Sequence, residues 1–197
     1  MQPLIDNARM FGQRPEEFAH LAEGQSPEVL FITCSDSRVV PALITGAKPG
    51  ELFELRTAGN IVPPYGSVSP AGEKATIEYA VRVLGVKHVV VCGHSHCGAV
   101  GAVVRRDDLS TVPAVRDWLA HAADEPKCSD RHDPTVAEAV QNHVLAQLER
   151  LRSYPCVEQG LKAGGLHLHG WYYEVHTGIV REHRAESGSF EALQGSW

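Results

Sequence analysis

The sequence lacks any long hydrophobic run. No stretch of its 197 residues approaches the ~20 consecutive apolar residues that a membrane-spanning helix needs. The first twenty residues carry Asp6, Glu16 and Glu17 and contain no apolar segment of the kind found in secretory signal peptides. We therefore expect a cytoplasmic protein that has no membrane partner.

An excess of positive charge is also missing. Lys and Arg number 18 against 24 Asp and Glu, which gives a formal charge of −6 and argues against nucleic acid as a partner. Hydrophobic residues make up 43% and charged residues 21% of the chain, as in ordinary globular proteins and unlike disordered ones. The length suits one domain, so we predict a single domain over residues 1–197, with residues 1–24 as an N-terminal arm.

The cysteine pattern contains no Cys-x-x-Cys pair, which makes a thiol redox protein a weak alternative. The cysteines number five, an odd count that does not suit a disulfide framework in a cytosolic chain. Eleven histidines accompany them. Metal binding or a reactive thiol is therefore the chemistry to look for.

Short apolar runs alternate with segments of helical periodicity, which predicts an α/β fold with a mainly parallel central sheet flanked by helices. Strands are predicted at residues 29–33, 52–55, 87–92 and 165–175, the last of these closing the order. Helices are predicted at residues 71–84, 99–104, 112–122 and 135–152.

The first twenty residues favour a helix that is broken near Gly12 and Pro15. Its apolar side chains cannot easily be buried in the core of their own chain, so we expect the arm to pack on a partner subunit. These side chains are Leu4, Ile5, Met10, Phe11 and Phe18.

Two groups of metal-ligating residues follow two of the predicted strands. Cys34 and Asp36 follow the first, and His94 and Cys97 follow the third. In open α/β sheets, sites form beyond the carboxyl ends of strands, and thiolate, imidazole and carboxylate are all zinc ligands. The four residues are thus a candidate tetrahedral site, the alternative being that the two cysteines are plain buried residues.

The other cysteines and several histidines favour simpler interpretations. Cys92 lies within an apolar strand and is expected in the core, while Cys128 and Cys156 have no partner at ligand spacing. His96 is out of phase with His94, which favours an outer or surface role. His167 and His169 alternate on one face of a strand, which is more typical of a half-exposed sheet face than of metal ligands.

Together these motifs resemble the β-class carbonic anhydrases. The resemblance is carried by Cys34-Ser-Asp-Ser-Arg38 and by His94-Ser-His-Cys97-Gly98, and it extends over nearly the whole chain. Supporting stretches are Gln25-Ser-Pro, Arg56-Thr-Ala-Gly-Asn60, Ile77-Glu-Tyr-Ala80 and Leu168-His-Gly-Trp-Tyr-Tyr173. It implies an α/β fold whose N-terminal helices embrace a partner, in a homodimer or a dimer-based tetramer.

The resemblance further implies one Zn²⁺ per chain, with Cys34, His94 and Cys97 as permanent ligands. Asp36 would either be the fourth ligand or pair with Arg38 and leave that position open, so that Asp36 and Arg38 act as the catalytic pair. The substrate-binding residues would be Gln25, Phe53, Ala58, Gly59, Tyr79 and Gly98, some of them contributed by the neighbouring subunit. Thr57 and Phe31 depart from residues common in parts of the family.

The function implied is the reversible hydration of carbon dioxide to bicarbonate and a proton through zinc-bound hydroxide. Two alternatives remain at this point. One is a carbonyl sulfide or carbon disulfide hydrolase of the same family, and the other is a non-catalytic, zinc-stabilised binding module. A purely structural zinc site has little use for Arg38 beside a carboxylate ligand, and such sites are usually closed by Cys and His alone.

Overall fold

One six-stranded sheet forms the centre of the molecule. Its strands are β1 (Val29–Cys34), β2 (Leu52–Thr57), β3 (His88–His94), β4 (His167–Tyr173), β5 (Val180–Arg184) and β6 (Ser189–Ala192). They lie in the order β2-β1-β3-β4-β5-β6. The computed structural model describes residues 1–13, 15–66, 71–122, 129–130 and 132–193, so Cys128 lies outside the described residues.

The first four strands are parallel, as the alternation of strands and helices predicts. In their register Cys34 pairs with Thr57, Val29 with His88, and His94 with Tyr173. The carboxyl ends of β1, β2, β3 and β4 therefore meet at one edge of the sheet. This register brings the groups that follow the strands to the same edge of the sheet.

Two antiparallel strands, β5 and β6, extend the sheet beyond β4. The expectation that β4 closes the order is wrong. The sequence of β5 is VREHR and that of β6 is SFEA, and both are largely exposed or half-buried. Edge strands of this kind carry no continuous apolar run, which is the signal that identifies β1 and β3.

The described ranges contain eight α-helices. They are α1 (Gln2–Phe11), α2 (Pro15–Phe18), α3 (Pro41–Thr45), α4 (Gly72–Glu78), α5 (Gly98–Arg105), α6 (Pro113–Leu119), α7 (Ala137–Arg152) and α8 (Pro155–Lys162). A π-helical segment, Tyr79–Leu84, continues α4. The sequence periodicity indicates α4 to α7, whereas α3 and α8 are not among the predicted helices.

The longest helix, α7, packs directly on β3 and β4, and Gly93 makes this close approach possible. A Cβ atom at Gly93 would lie 2.5 Å from Val140 Cγ1 and 2.8 Å from Val144 Cγ2. Val140 and Val144 are fully buried. Glycine immediately before His94 thus lets the helix support the end of the strand that carries this residue.

The face of the sheet opposite α7 carries an apolar cluster formed by Phe31, Val90 and Cys92. Phe31 meets Trp171 edge-to-face, with ring centroids 5.8 Å apart. Cys92 is 0% exposed, so its expected place in the core is confirmed. The thiol belongs to the packing of the sheet and not to the candidate metal site.

The described residues of the N-terminal arm contribute no buried side chain to either face of the sheet. Helix α1 has no buried residue, and Leu4 and Met10 are 67% and 59% exposed. The break between α1 and α2 falls where Gly12 and Pro15 predict it. None of the helices in the described ranges is long and apolar enough to cross a membrane.

Candidate metal centre

Three side chains with metal-ligating atoms meet at the carboxyl edge of the sheet. Cys34 is the last residue of β1, His94 is the last residue of β3, and Cys97 immediately precedes α5. Their ligand atoms all lie within 4.8 Å of one another, and all three residues are buried. Among the described residues this is the one group of three or more such side chains that could hold a metal ion.

The imidazole of His94 is held in an orientation that suits a metal ligand. Its Nδ1 lies 2.9 Å from the carbonyl oxygen of Ser95, which assigns the proton to Nδ1 and leaves a lone pair on Nε2. Nε2 is buried and has no hydrogen-bond partner in the described chain. A buried polar atom without a partner costs about 1–3 kcal/mol, and a cation between His94 and the cysteines would remove this cost.

The two thiols lie close enough to share a proton. Cys97 donates a hydrogen bond to Cys34, which lowers the pKa of Cys34 and raises the pKa of Cys97. The backbone N–H of Gly59 also donates to Cys34 Sγ, at 3.3 Å. A second negative charge beside Cys34 needs a cation between the sulfurs, and two thiolates with one neutral imidazole are a donor set that suits zinc.

Asp36 faces Arg38 and lies beside the three-residue group. Its carboxylate accepts hydrogen bonds from Arg38 Nε at 2.9 Å and from Arg38 Nη2 at 2.7 Å. Its Oδ2 lies 3.9 Å from His94 Nε2. The hydrogen bonds from Arg38 hold the pKa of the Asp36 carboxyl well below its usual range. Of the two arrangements open at the sequence level, the structure has the one in which Asp36 is paired with Arg38.

Arg56 holds the loop on which Cys34 and Asp36 lie. Its guanidinium donates to the carbonyl oxygens of Cys34, Asp36 and Val39, with the Nη2 distances at 3.0, 2.9 and 2.8 Å. Three carbonyls converging on one guanidinium fix the path of the chain between the ligand and the ion pair. The sequence motif around Arg56 marks this residue, but it does not reveal these contacts.

Buried polar side chains of α7 support the loop that donates to Cys34. His143 Nε2 lies 2.7 Å from the carbonyl oxygen of Gly59, and Gln147 Oε1 accepts the Val62 N–H at 2.8 Å. His143 and Gln147 are 2% and 0% exposed. These contacts were not predicted, since a polar side chain in an amphipathic helix is ordinarily assigned to the solvent-facing side.

The six residues expected to bind substrate divide into two groups. Ala58 and Gly59 directly follow β2 and Gly98 directly follows Cys97, so all three lie at the carboxyl edge. Phe53 pairs with Leu30 and lies four residues before Thr57, the partner of Cys34, which is about 13 Å along the strand.

Tyr79 contacts Phe53, with ring centroids 6.0 Å apart, and Gln25 precedes β1. Gln25, Phe53 and Tyr79 thus lie at the amino end of the strands, away from the cysteines of their own chain.

The other histidines that the sequence analysis singled out, His96, His167 and His169, fall into two places. The Nδ1 atom of His96 lies 2.9 Å from the carbonyl oxygen of Pro134, and its own carbonyl oxygen accepts Arg38 Nη2 at 3.1 Å. His96 therefore supports Arg38 from outside the three-residue group. His167 and His169 lie at the start of β4, at the opposite end of the sheet from the cysteines.

The sequence comparisons agree with this geometry. The family model for carbonic anhydrase matches residues 29–180. The chain belongs to the β-class carbonic anhydrase family. A carbonic anhydrase of Pseudomonas aeruginosa is 45% identical and covers 100% of this chain and 89% of its own length. Carbonic anhydrase 1 of Escherichia coli O157:H7 is 43% identical over 91% of this chain and 86% of its own length.

Solved β-carbonic anhydrases have the same architecture. The β-carbonic anhydrase CcaA matches with a TM-score of 0.88 and 38% identity, over 98% of this chain and 99% of its own. A tetrameric β-carbonic anhydrase of Sordaria macrospora matches with a TM-score of 0.76 and 32% identity, over 92% of this chain and 94% of its own. The α/β fold with a mainly parallel sheet is therefore common to this chain and these enzymes.

Proposed function

We propose that the protein catalyses the reversible hydration of carbon dioxide to bicarbonate and a proton, with one zinc ion per chain held by Cys34, His94 and Cys97. The relatives named carbonic anhydrases support the reaction. The observation that carries the metal assignment is the buried, unpartnered Nε2 of His94 beside two thiols, with all three ligand atoms within 4.8 Å of one another. Soft thiolates and imidazole favour zinc over the hard cations.

The chemistry divides between the metal and the protein. A zinc ion, when bound, supplies the Lewis acidity that makes water a nucleophile at neutral pH. Asp36 Oδ2 lies beside His94 and is ionised, so it can accept a hydrogen bond from the reacting water and orient its oxygen toward the substrate. Arg38 keeps Asp36 in this charged form and directed away from the cysteines.

The substrate pocket needs a second subunit. Ala58, Gly59 and Gly98 border the ligands, whereas Phe53 and Tyr79 lie at the far end of the strands. We therefore propose a homodimer or a dimer-based tetramer in which the aromatic wall for the apolar CO₂ molecule, with Gln25, comes in part from the partner. The tetrameric relative of Sordaria macrospora and the exposed apolar residues of α1 support an assembly of this kind. A cytoplasmic location remains part of the proposal.

The test combines metal analysis with CO₂ hydration measured by stopped flow. We expect about one zinc per chain and loss of both zinc and activity in Cys97→Ser. Cys156→Ser is the matched control, because Cys156 is also buried but packs in the apolar core away from the cluster. Full zinc occupancy in Cys97→Ser would contradict the ligand assignment, and a zinc-loaded protein without hydration activity would contradict the reaction.

The two alternatives are less well supported. Carbonyl sulfide and carbon disulfide have the same linear, apolar character as CO₂, so parallel assays of all three substrates distinguish a hydrolase from a carbonic anhydrase. The relatives are named for the carbonic anhydrase reaction, which does not favour the hydrolase. The Asp36–Arg38 pair beside the cluster does not favour a non-catalytic zinc-stabilised module.

A further inference from the structure

A second group of imidazoles lies on the sheet at the end opposite the cysteines. His88 begins β3 and His169 lies near the start of β4, with His88 Nδ1 and His169 Nε2 only 3.1 Å apart. His167 stacks on His88 with ring centroids 5.4 Å apart. His88 and His94 are six residues apart on one strand, or about 20 Å, so this group is separate from the Cys34 cluster.

We propose that His88 and His169 form a second, weaker binding site for a divalent transition metal of the zinc, cobalt or copper type. Two imidazole ligands on one tetrahedral ion have their nitrogen atoms about 3.3 Å apart, given metal–nitrogen distances near 2.0–2.1 Å. The observed separation of 3.1 Å is close to this spacing, so the two rings need to turn toward a shared ion but hardly to move apart.

A carboxylate supports His169 in the way that metal-binding histidines are supported. His169 Nδ1 lies 2.9 Å from Glu182 Oε1, and Glu182 Oε2 accepts Arg184 Nη1 at 2.9 Å. The proton of His169 is therefore on Nδ1, which leaves the lone pair of Nε2 directed at His88. A carboxylate–histidine pair of this geometry fixes the tautomer and the orientation of the ligating ring.

The protonation of His88 also suits metal binding. Burial, with the neighbouring His169 and His167 rings next in effect, lowers the pKa of His88, so the imidazole is neutral at physiological pH. His88 now donates its Nδ1 proton to His169. When a metal binds Nδ1 of His88, the proton moves to Nε2 of the same ring. Both rings therefore stay neutral, and no proton is released.

A cavity of about 740 Å³ borders both histidines, giving a metal there room for further ligands. Its wall also includes His20, Glu28 and Glu51. The carboxylate of Glu28 is paired with Lys87 at 2.6 Å. The two imidazoles thus supply a chelating pair at the edge of an open space.

The experiment uses the zinc-loaded protein and Co²⁺ as the probe. After equilibrium dialysis at mildly alkaline pH, we expect about one cobalt per chain in addition to zinc, with a spectrum of nitrogen and oxygen ligands and no thiolate-to-cobalt charge transfer. His88→Ala and His169→Gln should lose this cobalt, and Glu182→Gln should weaken its binding by at least roughly tenfold. His183→Ala is the matched control, because His183 follows Glu182 on β5 and contacts Phe190.

The outcomes separate this site from the cysteine cluster. No cobalt beyond zinc in the wild type, or unchanged cobalt binding in both histidine variants, would overturn the proposal. So would a thiolate charge-transfer band, since it would mean that the cobalt had entered the Cys34 cluster. Circular dichroism of each variant checks the fold, and the zinc content of the Cys34 site should stay the same throughout.

Discussion

Replacing Arg38 by Ala tests whether the zinc site is catalytic or purely structural. Arg38 makes two hydrogen bonds to the Asp36 carboxylate, at 2.9 and 2.7 Å, and these hold it away from the three-ligand group. In Arg38→Ala the two side-chain donors are gone, and only the backbone N–H of residue 38, 2.9 Å from Asp36 Oδ1, remains. We expect Asp36, whose Oδ2 already lies 3.9 Å from His94 Nε2, to turn toward the cluster and close the position that the reaction needs.

The size of the effect follows from these two contacts. A hydrogen bond to a charged group contributes about 1.5–3 kcal/mol when it is shielded from water. The Arg38 side chain is 46% exposed and that of Asp36 is 17% exposed, so solvent screening reduces the pair to roughly 1.5–3 kcal/mol in total. Since 1.4 kcal/mol corresponds to a factor of ten, kcat/KM should fall by between about tenfold and a hundredfold.

The assay measures CO₂ hydration in wild type, Arg38→Ala and Arg38→Lys, with the zinc content determined for each protein. Lysine keeps the charge but cannot make the two parallel bonds, so its rate should lie between the other two. Arg152→Ala is the control, because Arg152 is an exposed residue with a single ion pair to Glu149 at 3.1 Å. An Arg38→Ala protein with full zinc and an undiminished rate would refute the reasoning.

Two further predictions concern packing and assembly. Gly93→Ala should destabilise the protein by about 1–3 kcal/mol, because the new methyl group would overlap Val140 and Val144, while Gly72→Ala meets no atom within 4 Å and should not. Thermal unfolding of both variants tests this, and equal melting temperatures would contradict it. Deleting residues 1–24 should reduce the oligomer size measured by light scattering and lower CO₂ hydration, and a monodisperse wild-type monomer near 21.4 kDa would contradict the expected role of the arm.

The two central strands of the parallel part, β1 and β3, are readable from the sequence because they are buried on both faces. Continuous apolar runs, residues 29–32 and 89–92, lie inside the predicted strands 29–33 and 87–92, and the observed strands end at Cys34 and His94. The strands β5 and β6 escaped prediction because they are half-exposed and rich in charge. Their stability comes from pairing with β4, a tertiary effect that no local pattern records.

The metal site likewise has a part that the sequence predicts and a part that it does not. The proximity of Cys34, His94 and Cys97 could be predicted because parallel strands place their carboxyl ends at one edge of the sheet. This rule needs only the order of the elements along the chain. The direction taken by Asp36 could not be predicted, since it depends on the rotamer of Arg38 and on the three carbonyls held by Arg56. Sequence spacing determines which residues meet, whereas the hydrogen bonds of their neighbours determine which way they face.

The same distinction explains the position of the expected substrate residues. The resemblance assigns these residues to a single pocket. In one subunit, however, Phe53 lies about 13 Å along the strand from Thr57, the residue that pairs with Cys34. The residues of one pocket are all present in the sequence of one chain, yet they need not meet within a single copy of that chain. If the pocket is formed between subunits, the exposed face of Tyr79, at 44%, is the surface that a partner would cover, and its burial would couple assembly to catalysis.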